Sequence, residues 1–310
     1  MPDGTVVGIG AANVDVHVHS RAPLVLRDSN PGTSVFSAGG VTRNILENLS
    51  RLGVSTELVS ALGEDLFADY LLVQCGRLNI GTRFVRRFNG EKTSSYTAIM
   101  DSDGDMFAAV SDMSVLQKLL PDELSGCDVL LSSASLIVCD PCLPEETVSW
   151  LCDKYASLVP LACDPVSTAY AARLRPYRGS FSLLKPNRME LEILAGISAD
   201  SRADIQRAAD LLLTEGTERV MVSLGAEGCY YADREDNCFF AALSADNSMV
   251  DATGAGDAFL AGAIYAILKK EPPCSVAGYA LAAGKIAVRS RGACSGELSE
   301  SLLDSVRMMK

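Results

Sequence analysis

Asp251-Ala252-Thr253-Gly254-Ala255-Gly256-Asp257 is the stretch on which the reading of this chain turns. Small residues run up to a carboxylate, and Ala258-Phe259-Leu260-Ala261-Gly262-Ala263 continues at once as a helix pattern. The first amides of a helix have no acceptor inside it, and the helix dipole adds positive potential at that end. Glycines let a ligand approach the backbone closely. Gly254, Ala255 and Gly256 are therefore a candidate anion cradle, with Asp257 beside it as a candidate proton acceptor. Phosphoryl transfer calls for this combination, because it depends on positioning and on stabilising charge. A glycine-rich turn with an aspartate in the first helical turn is the plain alternative, and spacing alone does not separate the two.

Upstream, strand-like and helix-like segments alternate, which points to an α/β architecture with a mainly parallel sheet. Thr5, Val6, Val7, Gly8, Ile9 and Gly10 read as a buried first strand. Over residues 14–20, Val14, Val16 and Val18 alternate with Asp15, His17 and His19, a strand wet on one face, with solvated histidines. Segments at 94–100 and 106–110 flank Asp101-Ser102-Asp103-Gly104-Asp105, whose Asp-Gly pair marks a hairpin. These regions are expected to form a small antiparallel sheet apart from the main one. Further strands are expected at 128–132, 158–163, 181–185 and 219–224. Helices are expected over 42–52, after Pro144, behind a cap at Ser201 and Asp204, and over 255–268 and 276–289.

The chain has 310 residues, 48% apolar and 21% charged, which describes a globular protein rather than a disordered one. With 27 basic and 39 acidic residues its net charge is −12, which argues against a polynucleotide partner but not against a small anion held by backbone amides. Cys139 and Cys142 are the only close pair among ten cysteines, and they read as buried thiols in a reducing compartment rather than as a zinc site. Met1-Pro2-Asp3-Gly4 lacks the basic start and apolar run of a secretory leader, and no stretch approaches the roughly 20 apolar residues of a membrane span. The expectation is a cytoplasmic protein without membrane or nucleic-acid partners. Gly8-Ile9-Gly10 raises a dinucleotide-binding fold, but Asn13 stands where the third glycine of that fingerprint belongs.

Five motifs follow one another along the chain: Asn13-Val14-Asp15, Gly39-Gly40-Val41-Thr42-Arg43-Asn44, Lys185-Pro186-Asn187-Arg188-Met189-Glu190, Ser223-Leu224-Gly225-Ala226-Glu227-Gly228, and Gly254-Ala255-Gly256-Asp257. In order and spacing they resemble the signatures of the ribokinase-like (PfkB) carbohydrate kinases, from about residue 6 to residue 292. One departure is Ala252, where that family more often has Thr. The resemblance implies a three-layer α/β/α fold with a small β-sheet lid. It implies a single kinase domain over 1–310, its lid formed from about 14–38 and 91–113. The implied activity is ATP-dependent phosphorylation of an alcohol, with Asp257 as general base and Gly254, Ala255 and Gly256 as anion hole.

By the same resemblance, Asn187, Ser223, Gly225 and Gly228 bind ATP, and Glu190 lies in the water shell of Mg²⁺. Asn187 and Glu190 also fit a capping box, and both roles can coexist at a helix start. Asn13, Asp15, Gly39, Gly40 and Asn44 hold substrate hydroxyls, and Asp251, Thr253 and Gly292 match a monovalent cation site, for instance for K⁺. Lid sheets of the family pair between subunits, which implies a homodimer.

Asp28-Ser29-Asn30-Pro31-Gly32, Glu91-Lys92-Thr93-Ser94-Ser95-Tyr96, Asp112-Met113 and Asp164-Pro165-Val166-Ser167 refine the resemblance, together with the arginine before Asn44. The combination is closer to the pseudouridine-kinase branch than to ribokinases or adenosine kinases. It implies transfer to the 5′-hydroxyl of pseudouridine, with Ser29, Asn30, Thr93 and Ser95 meeting the polar edge of the uracil. Buried polar groups discriminate such an edge better than an apolar pocket does. Another sugar or nucleoside, such as ribose, adenosine or inosine, is the alternative.

Overall fold

Val6, Val7 and Ile9 expose no surface, so the first strand, Thr5–Ile9, is covered on both faces. Such a strand belongs in a parallel sheet with helices above and below it. The computed structural model describes residues 4–243, 252–290 and 292–308 and has this arrangement. Among the described residues the central sheet runs Asn237–Phe240, Cys229–Asp233, Arg219–Ser223, Leu183–Leu184, Leu161–Cys163, Leu136–Cys139, Thr5–Ile9, Ser55–Val59, Ile80–Gly81. Its pairs are parallel except among the first three strands of that order, which are antiparallel.

Alternate residues of each strand feed two cores. Val6, Leu58, Leu136, Val138 and Met221 pack with the helices Val41–Arg51, Ala255–Leu268 and Pro273–Ala287 on one face. Val7, Ile9, Val59, Ile137, Leu161 and Val222 pack with Glu145–Tyr155, Arg188–Ala195 and Arg202–Thr214 on the other. The result is a three-layer α/β/α body.

Two sequence expectations need correcting. Residues 128–132 are not a strand: Asp128–Ser132 is a short helix that leaves Val129 84% exposed, and the strand is Leu136–Cys139. A short apolar run does not by itself separate helix from strand, and Ile137 and Val138 supply the β-branched residues that favour the later segment. The second sheet, in the order Gly32–Gly39, Asn13–Ser20, Ser95–Met100, Met106–Asp112, is mixed rather than wholly antiparallel. Asn13–Ser20 pairs parallel with Ser95–Met100, because the chain reaches the latter only after a long excursion through Ser55–Val59 and the helix Leu66–Arg77.

Thr5–Ile9 has Ser55–Val59 on one side and Leu136–Cys139 on the other. The chain builds outward in one direction, returns, and builds outward in the other. At such a switch point the carboxyl ends of neighbouring strands splay apart and leave a crevice for a ligand.

Candidate active site

The strand ends at this crevice carry charge. Asp140 follows Leu136–Cys139, Asp164 follows Leu161–Cys163, and Lys185 follows Leu183–Leu184. Each side chain is almost fully buried, and each has partners. Asp140 Oδ2 accepts from the Ala11 amide and from Thr42 Oγ1, both at 2.7 Å, and so pins the end of the first strand to the start of Val41–Arg51. Lys185 Nζ donates to Asp164 Oδ2 at 2.6 Å.

Two helices begin over these strand ends. Ala255–Leu268 starts from Gly254, whose φ of 74° is left-handed, and a Cβ there would run into the Ala293 carbonyl. The Ala255 amide turns back to the Ala252 carbonyl at 3.2 Å, so it is not part of an open cradle as the sequence suggested. Among the described residues none accepts from the amides of Gly256 and Asp257. The Gly254 amide is likewise unclaimed among the described residues, so of the three expected donors only Ala255 drops out, and Asp257 joins the others. Lys185 Nζ is close by, 2.8 Å from where a Cβ on Gly256 would stand.

Asp257 is 7% exposed, and its Oδ2 accepts from Asn44 Nδ2 at 2.9 Å. Burial pushes its carboxyl up to about 8, with the Asp164 and Asp140 carboxylates adding to the rise and Asn44 and Lys185 opposing it. A carboxylate tuned near neutral pH suits a general base.

Asn44 sits in the first turn of Val41–Arg51, which opens from Gly40 at φ 101°, where the Ala11 carbonyl fills the place a Cβ would take. Asn13 pairs in register with Gly39, and Asn13 Nδ2 donates to Asp15 Oδ1 at 2.6 Å. The Asp15 carboxylate lies flat on Gly39, where any side chain would displace it. Burial raises the Asp15 carboxyl, against the Asn13 hydrogen bond. Asn13, Asp15, Gly39, Gly40, Asn44 and Asp257 therefore form one continuous run of contacts.

The residues expected on the base edge are placed differently. Thr93 is buried, and its Oγ1 donates to Asp65 Oδ1 at 2.7 Å and accepts from the Gly63 amide at 3.0 Å. Its hydroxyl is thus committed to the capped start of Leu66–Arg77. Asn30 Oδ1 accepts from the Val25 amide at 2.8 Å, and its Nδ2 donates to the carbonyls of Val25 and Asp28, so the side chain folds its own exposed loop. Ser29 is exposed on that loop, and Ser95 lies half-buried opposite Val14 and Asp112.

On the opposite side of Lys185, Asn187 caps Arg188–Ala195. Its Oδ1 accepts from the Glu190 amide at 2.9 Å, and Glu190 Oε2 accepts from the Asn187 amide at 2.8 Å. Burial raises the Glu190 carboxyl. Asn187 bridges to Ser223, and the turn beyond it is shaped by positive φ at Gly225 and Gly228. Gly254 meets Ala293, the chain neighbours of Thr253 and Gly292, while Asp251 lies outside the described residues.

Sequence reasoning gave no role to Lys185, Asp164, Asp140 or Arg43. A charged residue directly after a fully buried strand is a usable signal for the first three, since burial of charge needs a partner or a ligand. Arg43 gave no such signal.

The chain matches the model of the pfkB family carbohydrate kinases over residues 4–300. It is 37% identical to the pseudouridine kinase of Escherichia coli (strain K12) over 257 residues, 83% of this chain and 82% of that one. A carbohydrate kinase from Agrobacterium tumefaciens superposes with a TM-score of 0.87 at 25% identity, covering 99% of this chain and 98% of that one. Arabidopsis thaliana ribokinase complexed with ribose and ATP superposes with a TM-score of 0.86 at 22% identity, covering 99% of each chain. Among the described residues no helix is long and apolar enough to cross a membrane. A buried carboxylate at a helix start, facing the switch point of a ribokinase-like sheet, thus belongs to a member of the pfkB carbohydrate kinase family, an ATP-dependent kinase.

Proposed function

We propose that this kinase transfers the γ-phosphoryl group of ATP to the 5′-hydroxyl of pseudouridine. The observation that carries the chemistry is the 2.9 Å hydrogen bond from Asn44 to Asp257, beside the unclaimed amides of Gly256 and Asp257. Similarity to the E. coli pseudouridine kinase supports the acceptor.

In this reading Asp15, Asn13 and the backbone of Gly39 and Gly40 hold the ribose, with Asn44 between ribose and base catalyst. Asp257 removes the hydroxyl proton as the oxygen attacks phosphorus and ADP leaves. The amides of Gly256 and Asp257 and the Lys185 ammonium meet the charge on the moving phosphoryl group. Asn187, Ser223, Gly225 and Gly228 hold ATP. Ser29 and Ser95 take the base edge, since Thr93 and Asn30 are committed elsewhere.

Among the described residues no group of three or more His, Cys, Asp or Glu side chains is placed to hold a metal alone. The surroundings nonetheless suit Mg²⁺ arriving with ATP, because the oxygens of three carboxyls, Asp164, Glu190 and Asp257, all bear on the single Lys185 ammonium. Glu190 would hold the ion through water, and when bound it would neutralise charge on the phosphates. Thr253 and Gly292, with Asp251, would hold a monovalent cation such as K⁺.

The whole chain acts as one kinase unit in this reading, with the four-stranded sheet as a lid that excludes water on closing. Val35, Phe36, Met106, Phe107 and Val110 are each more than half exposed on that sheet, which supports a homodimer formed through it. Ten unpaired cysteines accord with the cytoplasm.

Phosphate transfer from ATP to pseudouridine, uridine, inosine, adenosine and ribose tests the acceptor. Pseudouridine is expected to have the highest kcat/KM, by about tenfold or more. A better acceptor among the others would replace pseudouridine while leaving the kinase assignment, and transfer to none would count against the whole reading.

A further inference from the structure

Arg43 is an arginine buried to 3% exposure in a helix that also buries Ile45, Leu46 and Leu49 beside the polar side chains of Thr42, Asn44, Glu47 and Asn48. Placing a guanidinium there costs desolvation, so its contacts have to repay that cost in structure or in function. Its Nη1 donates to Asn44 Oδ1 at 2.9 Å and to the Ala38 carbonyl at 3.0 Å. Its Nη2 donates to Glu47 Oε2. Glu47 is held in turn by Arg51, whose Nε and Nη2 reach Oε1 at 3.0 and 2.7 Å, and Arg51 Nη1 reaches the Gly296 carbonyl at 3.2 Å.

We infer that Arg43 is a positioning residue: it locks the Asn44 amide in the one orientation that leaves Asp257 a working base. The inference rests on the reading of Asp257 as the base. A guanidinium has donors only, so the Asn44 atom that faces Nη1 is its oxygen. The Asn44 nitrogen is then the atom that faces Asp257 Oδ2. Turned by half a rotation, Asn44 would set oxygen against the Asp257 oxygen and nitrogen against Nη1, losing both bonds and opposing like partners.

The fixed orientation has a chemical consequence. Asn44 Nδ2 donates to Oδ2 and draws on its electron density, which leaves Oδ1 as the more basic oxygen. The proton taken from the substrate hydroxyl is therefore directed toward Asp257 Oδ1. Arg43 also ties this arrangement to the second sheet, because the Ala38 carbonyl it holds belongs to the strand Gly32–Gly39, next to the Gly39 on which Asp15 rests. Base, hydroxyl-binding carboxylate and lid strand are thus registered to one another through one guanidinium. Glu47 and Arg51 anchor that guanidinium from behind.

The test is a double-mutant cycle on the full chain, with ATP and the best acceptor of the panel: Arg43→Met, Asn44→Ala and both together. Each single change is expected to lower kcat about 10- to 100-fold, the worth of a hydrogen bond to a charged group. The double variant is expected to stay within about threefold of Asn44→Ala alone, because Arg43 acts only through Asn44. The KM for ATP should not move. Arg43→Lys keeps the charge but cannot bond Ala38, Asn44 and Glu47 at once, and it should lose rate while keeping the fold. It takes the place of Arg43→Met in the cycle if that variant does not fold. Losses that multiply in the double variant, or an unchanged kcat in Arg43→Lys, would overturn the inference. Asp257→Asn run alongside separates the two levels: activity in that variant unseats the base, whereas uncoupled losses at Arg43 and Asn44 unseat only the lock.

Discussion

Lys185 Nζ donates to Asp164 Oδ2 across 2.6 Å, and each side chain exposes only 6% of its surface. The pair joins the ends of two neighbouring parallel strands and lies against Gly256. Burying two charges costs more than packing two apolar residues, and breaking such a pair costs more still. Lys185→Met is therefore expected to destabilise the fold by about 3–5 kcal/mol, because Asp164 is left uncompensated. Lys185→Met with Asp164→Leu should recover most of that stability and little of the turnover. Denaturant unfolding and kcat, measured on the same preparations, check both halves. Recovered turnover in the double variant would show that the ammonium has no part in the chemistry.

Asp257 acts as a base only when ionised, and burial holds its carboxyl up to about 8. Below that value most of the enzyme carries the proton and cannot take another. kcat/KM should therefore climb as pH rises and level off above about pH 8. A profile flat from pH 5.5 upward, with an acceptor and ATP that do not titrate there, would contradict the buried environment of this group.

The same shift sets a stability trend of opposite sense. In the unfolded chain Asp257 ionises in the ordinary carboxylate range, well below its folded value of about 8. Between the two, the folded state keeps a proton that the unfolded state has lost, so stability falls as pH rises through that window. Asp257→Asn removes the effect. Its unfolding midpoint should exceed that of the unaltered protein at pH 8, by a margin that shrinks toward pH 4. Parallel melting curves at the two pH values, with no change in the margin, would rule this out.

Gly254 differs from Gly225 although both have positive φ. At Gly254 a Cβ meets the Ala293 carbonyl, whereas at Gly225 nothing lies within 4 Å. Gly225→Ala should cost about 1 kcal/mol of backbone strain. Gly254→Ala should cost several times as much, and should also lower kcat by moving the amides of Gly256 and Asp257. Unfolding curves of the two variants distinguish strain alone from strain with collision.

What was legible beforehand was local in sequence. Asp257 beside a glycine-rich helix start, the cap from Asn187 to Glu190 and the strand at residues 14–20 each show within a few residues, where spacing and propensity act. Longer-range relations were not visible. Asp164 and Lys185 are 21 residues apart and meet only because their strands are neighbours. Thr93 read as an open hydroxyl because its partners, Gly63 and Asp65, lie about 30 residues upstream. The swap of 128–132 for Leu136–Cys139 has another cause: two apolar runs stood close together, and burial chose between them. Arg43 is the sharpest case, since a charged residue on a helix reads as exposed until the packing around it is known.

Phosphate transfer by Asp257→Asn tests the central claim most directly. The change keeps the shape of the side chain and its contact with Asn44 but removes its ability to take a proton. Turnover should fall by about 10²- to 10⁴-fold while ATP binding, measured by calorimetry, stays intact. Turnover within about threefold of the unaltered enzyme would mean that some other group deprotonates the acceptor.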